Sequence, residues 1–254
     1  MSPLLMLMLG LVMLGTAFLS GIFGMAGGMI LIGVLLAVMP VPQAMALHAI
    51  TQMASNGWRA TLWWRHIRLK PCLAFMAGSA VAMGVFSFFL YVPSKPVALL
   101  LLGLTPFAAR YLLPFTLKPN PERFDHGLLY GFICMGLMLL TGVTGPLMDT
   151  YFLGGKLDRR EKVASKSFCQ TANHFAKLVY FGGIVANAGT LDLRMAAIAI
   201  ATAIAGTTLA RSILERMTDT QFVVWSMRII NTVCGYYVLQ GSYLLLAPIL
   251  RSVI

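Results

Sequence analysis

Apolar runs close to bilayer length follow one another along almost the whole chain, and no other feature limits its fold as strongly. Residues 73–91, 97–115, 193–211 and 222–250 are each close to or beyond the ~20 residues that a helix needs to cross the hydrocarbon layer. The chain is 59% hydrophobic and 11% charged, with a mean hydropathy of +0.82. No stretch is long and polar enough for a soluble domain, so the expected class is an all-α polytopic membrane protein. The start, Met1-Ser2-Pro3, lacks the basic region of a cleaved signal peptide, and the first apolar segment is expected to be retained.

Two of the apolar segments are broken by glycine. Residues 4–20 are apolar, 21–28 carry Gly21, Gly24, Gly27 and Gly28, and 29–39 resume for too short a length to span. Residues 44–64 then form a helix whose His48, Gln52, Ser55, Asn56 and Arg59 fall on one stripe at roughly 100° per residue. The layout returns 118 positions later. Residues 127–140 are apolar, 141–146 break with Gly142 and Gly145, 147–153 are a short piece, and 163–184 carry Lys166, Gln170, Asn173, His174 and Lys177. Gln52 answers to Gln170, Arg59 to Lys177, His48 to Lys166, Asn56 to His174, and Arg110 to Arg228. Residues 1–118 and 119–254 thus read as two repeats.

Loop charge sets their relative orientation. The first striped helix is followed by the basic loop 65–71, whereas its counterpart in the second half, 182–189, has no Lys or Arg. The second striped helix is preceded by Lys156, Arg159, Arg160 and Lys162, whereas 39–43 are uncharged. Under the positive-inside rule the repeats face opposite ways. Each would comprise a glycine-broken hairpin that dips into the membrane, followed by three full spans, with both termini outside. Inverted repeats with broken helices are a recurring plan of secondary transporters.

Irregular backbone inside a membrane survives only where protein or water satisfies it. A short helix restarting after each break would aim free N–H groups and its positive dipole end at the midplane, which suits an anion. Taken singly, a glycine packs helices, a Gln or Asn ties them together, and a terminal Arg or Lys snorkels. Recurrence at one offset is what makes the set a candidate site: Gly24, Gly27, Gly28, His48, Gln52, Asn56 and Arg59 with Gly142, Gly145, Lys166, Gln170, Asn173, His174 and Lys177. Asp149, Arg110 and Arg228 are candidate coupling or charge partners. Asp149 either carries a coupled proton or, the favoured reading, pairs with a nearby cation. The net charge of +11 is mostly positive-inside loop charge.

No metal or cofactor is expected. The four histidines, His48, His66, His126 and His174, show no ligand spacing, and Cys72, Cys134, Cys169 and Cys234 read as packing residues. Proton coupling is open. The absence of a G-x-x-x-x-G-K-[ST] loop argues against ATP-driven pumping by this chain alone.

The segments Gly24-Met25-Ala26-Gly27-Gly28, His48…Gln52…Ser55-Asn56…Arg59 with Trp64 to Ile67, Thr141 to Leu147, and Val163 to Lys166 with Gln170…His174…Lys177 resemble, in this order, the TauE/SafE family, also called the toluene sulfonate uptake permease family. The resemblance covers nearly the whole chain. It implies a multi-pass transporter of small sulfur-containing anions such as sulfite or organosulfonates, by import or export. Ala26 departs from the glycine of many members, and the second repeat lacks a glycine run. The expected function is therefore secondary transport by alternating access, in a bacterial inner (cytoplasmic) membrane, and not catalysis. An anion channel is the alternative, and a membrane-embedded enzyme using His48, His174, Cys169 or Asp149 a more distant one. Expected partners are the anion and the lipid bilayer, without nucleic acid; a homodimer is open.

Overall fold

A computed structural model describes residues 2–111, 119–153, 156–184, 192–214 and 216–253, and these form ten α-helices and no strand. The first half holds α1 (Pro3–Phe23), α2 (Ala26–Val38), α3 (Val41–Leu62), α4 (Leu69–Phe89) and α5 (Lys95–Tyr111). The second holds α6 (Phe124–Thr141), α7 (Gly145–Leu153), α8 (Arg159–Val179), α9 (Leu193–Leu214) and α10 (Asp219–Val253). Helices α1, α4, α6, α9 and α10 are long and apolar enough to cross a membrane. The chain is an all-α polytopic membrane protein.

Local chemistry accounts for the helix boundaries. Ser2 caps α1 by accepting from the Leu5 N–H at 3.3 Å. Pro42 sits in the first turn of α3, where its missing N–H costs nothing. Asp158 and Glu161 form a reciprocal capping box at α8, and the Glu161 N–H holds the Asp158 carboxyl below its usual range. Helix α8 runs on into a π turn at Tyr180–Ile184.

The breaks are narrower than the sequence suggests. Helix α1 continues through Gly21 and stops only where Gly24 takes φ +73°, and α2 restarts at Ala26. Gly21, Gly27 and Gly28 are therefore helical. The second break is confined to 142–144, opened by Gly142 at φ +87°. The physical reason is that a helical glycine costs only about 1 kcal/mol, whereas backbone polar groups in lipid must find partners within the chain. At Val143 one side chain supplies both partners: the Thr141 hydroxyl donates to the Val143 carbonyl at 2.7 Å and accepts from the Val143 N–H at 3.2 Å.

Packing pairs each half with the other. Helix α1 lies parallel to α9, with Gly10 against Ile198 and Gly21 against Ala210, and α4 lies parallel to α6, with Gly127 against Ala74 and Gly131 against Phe75. Helices α3 and α8 pack antiparallel: His48 meets Lys177 and His174, while Gly57 meets Thr171. Helices α5 and α10 are also antiparallel, Gly103 facing Cys234 and Gly241 facing Leu100. The two basic loops come together at one end. There the Arg68 guanidinium reaches Glu161 at 3.3 Å, its backbone N–H donates to Ser165, and Arg160 lies over Trp63.

Small residues set these distances, as membrane helix packing requires. A Cβ added to Gly131 would lie 1.9 Å from the Phe75 carbonyl oxygen, so Gly131→Ala must push α6 off α4. We expect this variant to lose about 1–3 kcal/mol or more of stability, read as a lower melting temperature in detergent. Gly84→Ala meets nothing within 4 Å and should melt at or above the parent temperature.

Candidate functional site

The two breaks meet in space. A Cβ added to Gly145 would lie 2.4 Å from that of Met25, so the start of α7 abuts the start of α2. Between them is a small cavity of about 20 Å³, bounded by Gly24, Met25 and Gly28 on one side and Val143, Thr144 and Gly145 on the other. The stripe of α3 closes it with Gln52 and Asn56, and that of α8 with Gln170 and His174. A space of this size holds about one water.

The cavity wall carries unused polar capacity. Gln52 is 6% exposed, Thr144 1% and His174 3%. Yet Gln52 Nε2, Thr144 Oγ1 and His174 Nδ1 have no hydrogen-bond partner. An orphaned buried polar group costs about 1–3 kcal/mol, so three around one cavity call for a polar occupant. The first-turn N–H groups of α2 and α7 add donors and positive dipole ends at the same place.

A second feature spans the two halves beside this cavity. Lys177, fully buried, donates from Nζ to the Gly142 carbonyl at 2.9 Å and to His48 Nδ1 at 2.7 Å. His48 Nε2 lies 2.9 Å from the Gly28 carbonyl. A carbonyl only accepts, so Nε2 carries the imidazole proton and Nδ1 accepts from the lysine. The chain Gly28–His48–Lys177–Gly142 thus links α2 to the second break through one buried lysine amine whose two acceptors are neutral. A buried ionisable group of this kind in a membrane interior is a functional candidate.

A family model described as sulfite exporter TauE/SafE matches residues 8–237. The chain belongs to this family. That makes it a member of a family of membrane anion transporters. No curated protein matches the chain.

In this TauE/SafE chain the remaining candidates divide clearly. Lys166 forms an ion pair with Asp149, an acid expected from the sequence to pair with a nearby cation of unspecified identity, and the lysine Nζ lies 3.8 Å from where a Cβ on Gly24 would stand. Arg59 donates to the Ser20 carbonyl at 3.0 Å and to Asn56 Oδ1 at 3.4 Å, so it braces the end of α1 beside the cavity. Gly27 packs α2 onto α1, since a Cβ there would lie 1.8 Å from the Thr16 carbonyl. Asn173 is buried outside the cavity wall. Ser55 ties α3 to α9 through Thr207 at 2.7 Å. Arg228 is exposed and stacks over Trp225 at 5.4 Å, away from the cavity. The side chain of Arg110 lies outside the described residues. Among the described residues, no three His, Cys, Asp or Glu side chains gather as a metal site.

Met25, Val143 and Thr144 line the cavity and are absent from the sequence-derived set. A signal for Thr144 was present: a hydroxyl residue directly before Gly145-Pro146 marks a helix start.

Proposed function

We propose that this protein is a secondary transporter of small sulfur oxyanions, sulfite or organosulfonates, and that the cavity between the glycine breaks is the substrate site in a closed state. The observation that carries the reading is the orphaned Gln52 amide, facing a cavity flanked by two helix N-termini. An anion there would accept from the donors that now lack partners. A space with room for about one water is too small for a sulfonate, so the halves must part to admit one.

The parting units proposed are residues 1–118 and 119–254, as inverted repeats working by alternating access. The antiparallel run of α3 against α8 and of α5 against α10 supports this, because each helix lies against its own counterpart in the other half. The meeting of both basic loops at one end supports a cytoplasmic face there. A bacterial inner membrane is the proposed location.

The test is thermal stabilisation of the detergent-purified protein by sulfite, methanesulfonate, sulfate, acetate and chloride. A ligand at a hundred times its Kd should raise the melting temperature by roughly 5–10 °C. Selective stabilisation by sulfite or a sulfonate is expected. An equal response to all five anions, or none, would overturn the reading. In proteoliposomes, flux that saturates and follows an imposed proton gradient is expected of a carrier; flux proportional to concentration and indifferent to protons would mean an anion channel.

A further inference from the structure

The second glycine break places a hydroxyl where it does no structural work. Thr144 immediately precedes α7, and its carbonyl accepts the first intrahelical bond, from the Met148 N–H at 3.1 Å. That is the N-cap position, where a threonine side chain normally accepts from the second or third N–H of the helix. Here the second residue is Pro146, which has no N–H, and Thr144 Oγ1 bonds to nothing although the side chain is 1% exposed. Thr144 is one of the residues that line the cavity. Helix α7 therefore begins without a bond from the Thr144 hydroxyl, and Thr144 and Gly145 stand together at one wall of the cavity.

The first half has no equivalent. The residue 118 positions earlier is Ala26, a methyl group, and α2 starts without a side-chain cap. The cavity is thus chemically lopsided although the backbone breaks match.

Resting on the anion-transport reading of the cavity, we propose that Thr144 is a substrate-binding residue, its hydroxyl and the adjacent Gly145 N–H together receiving one anionic oxygen. The anion is then held by the second half more tightly than by the first. Gln52 completes the grip from α3 with its free amide nitrogen.

The experiment is isothermal titration calorimetry of the full-length, detergent-purified protein with sulfite and with methanesulfonate. Thr144→Val keeps the shape and removes the hydroxyl; Thr144→Ser keeps the hydroxyl and removes the methyl. Losing a hydrogen bond to a charged group should weaken binding by Thr144→Val roughly tenfold or more, while Thr144→Ser stays near the parent. Gln52→Ala should weaken binding independently. Unchanged affinity in Thr144→Val, alongside a loss in Gln52→Ala, overturns the role of Thr144 and leaves the cavity as the site. Equal weakening by Val and Ser assigns the effect to packing and also overturns it. Failure of the parent protein to bind either anion overturns the transport reading and this inference with it. Thr144→Ala serves in place of Thr144→Val should the latter fold poorly, as judged by its melting temperature without ligand.

Discussion

Lys177→Met is expected to cut anion uptake by about 30-fold for a singly charged sulfonate and by about a thousandfold for doubly charged sulfite. Lys177 lies one helical turn beyond His174, which lines the cavity. An anion in the cavity would favour the charged form of this lysine, and at a separation on the order of 8 Å and an effective dielectric of about 20 that charge would contribute about 2 kcal/mol to holding a monoanion, and twice that for a dianion. The variant should still fold, because two effects on stability oppose each other. Removing the amine leaves His48 Nδ1 and the Gly142 carbonyl without a donor, at about 1–3 kcal/mol each. It also removes a desolvated ionisable group, and replacing such groups by apolar ones of similar volume is often neutral or stabilising. The prediction therefore separates function from folding: a small change in melting temperature with a large loss of uptake. Initial rates in proteoliposomes, measured with both substrates, provide the check. Uptake at the parental rate would reduce the Gly28–His48–Lys177–Gly142 chain to a packing device. A loss equal for both charges would show that Lys177 acts by holding the breaks in place rather than through its field.

The parts of this arrangement that could be read from the sequence are those with a period. A helical stripe needs only spacing, so the cavity-facing side of α3 was visible in Gln52 and Asn56, and that of α8 in Gln170 and His174. The matched breaks were visible because only glycine takes positive φ without strain, and Gly24 and Gly142 do so 118 positions apart. What each stripe meets across the interface was not visible. His48 aligns with Lys166 in sequence, but in space its partner is Lys177, the counterpart of Arg59. That exchange is a property of antiparallel packing, which pairs the early part of α3 with the late part of α8. Asp149 shows a related difference. The first-half position that matches it is Leu31, buried in the core, so the repeat itself gave no signal for the Asp149–Lys166 ion pair. Arg228 misleads for the opposite reason: it keeps the register with Arg110, yet it sits on the outer face of α10 against Trp225. Equal spacing fixes a position along the helix, while the direction a side chain points depends on neighbours that the repeat does not encode.

The double variant Gln52→Ala, Gln170→Ala should lower uptake by about a hundredfold or more while leaving the protein folded. Each glutamine lines the cavity from one of the two central helices. A hydrogen bond to a charged group contributes about 1.5–3 kcal/mol, so two lost together give roughly 3–6 kcal/mol where the losses add and less where they couple. The structural cost is small on the Gln52 side, where Nε2 has no protein partner to lose and Oε1 receives only a long contact from Asn56 Nδ2 at 3.5 Å. Its side chain also lies over Gly28, so truncation opens space next to the start of α2 and does not disturb a filled contact between spans. The single variants sharpen the argument. If both amides grip one anion in the closed state, the two changes should be non-additive, because losing either partner lets the anion shift towards the other. If they belong to separate gates, their effects on the rate should multiply. Initial uptake rates of sulfite for the two single variants and the double variant decide between these outcomes, with the melting temperature of each confirming that it folds. Full transport by a folded double variant would remove the cavity from consideration as the substrate site, whatever the family membership of the chain.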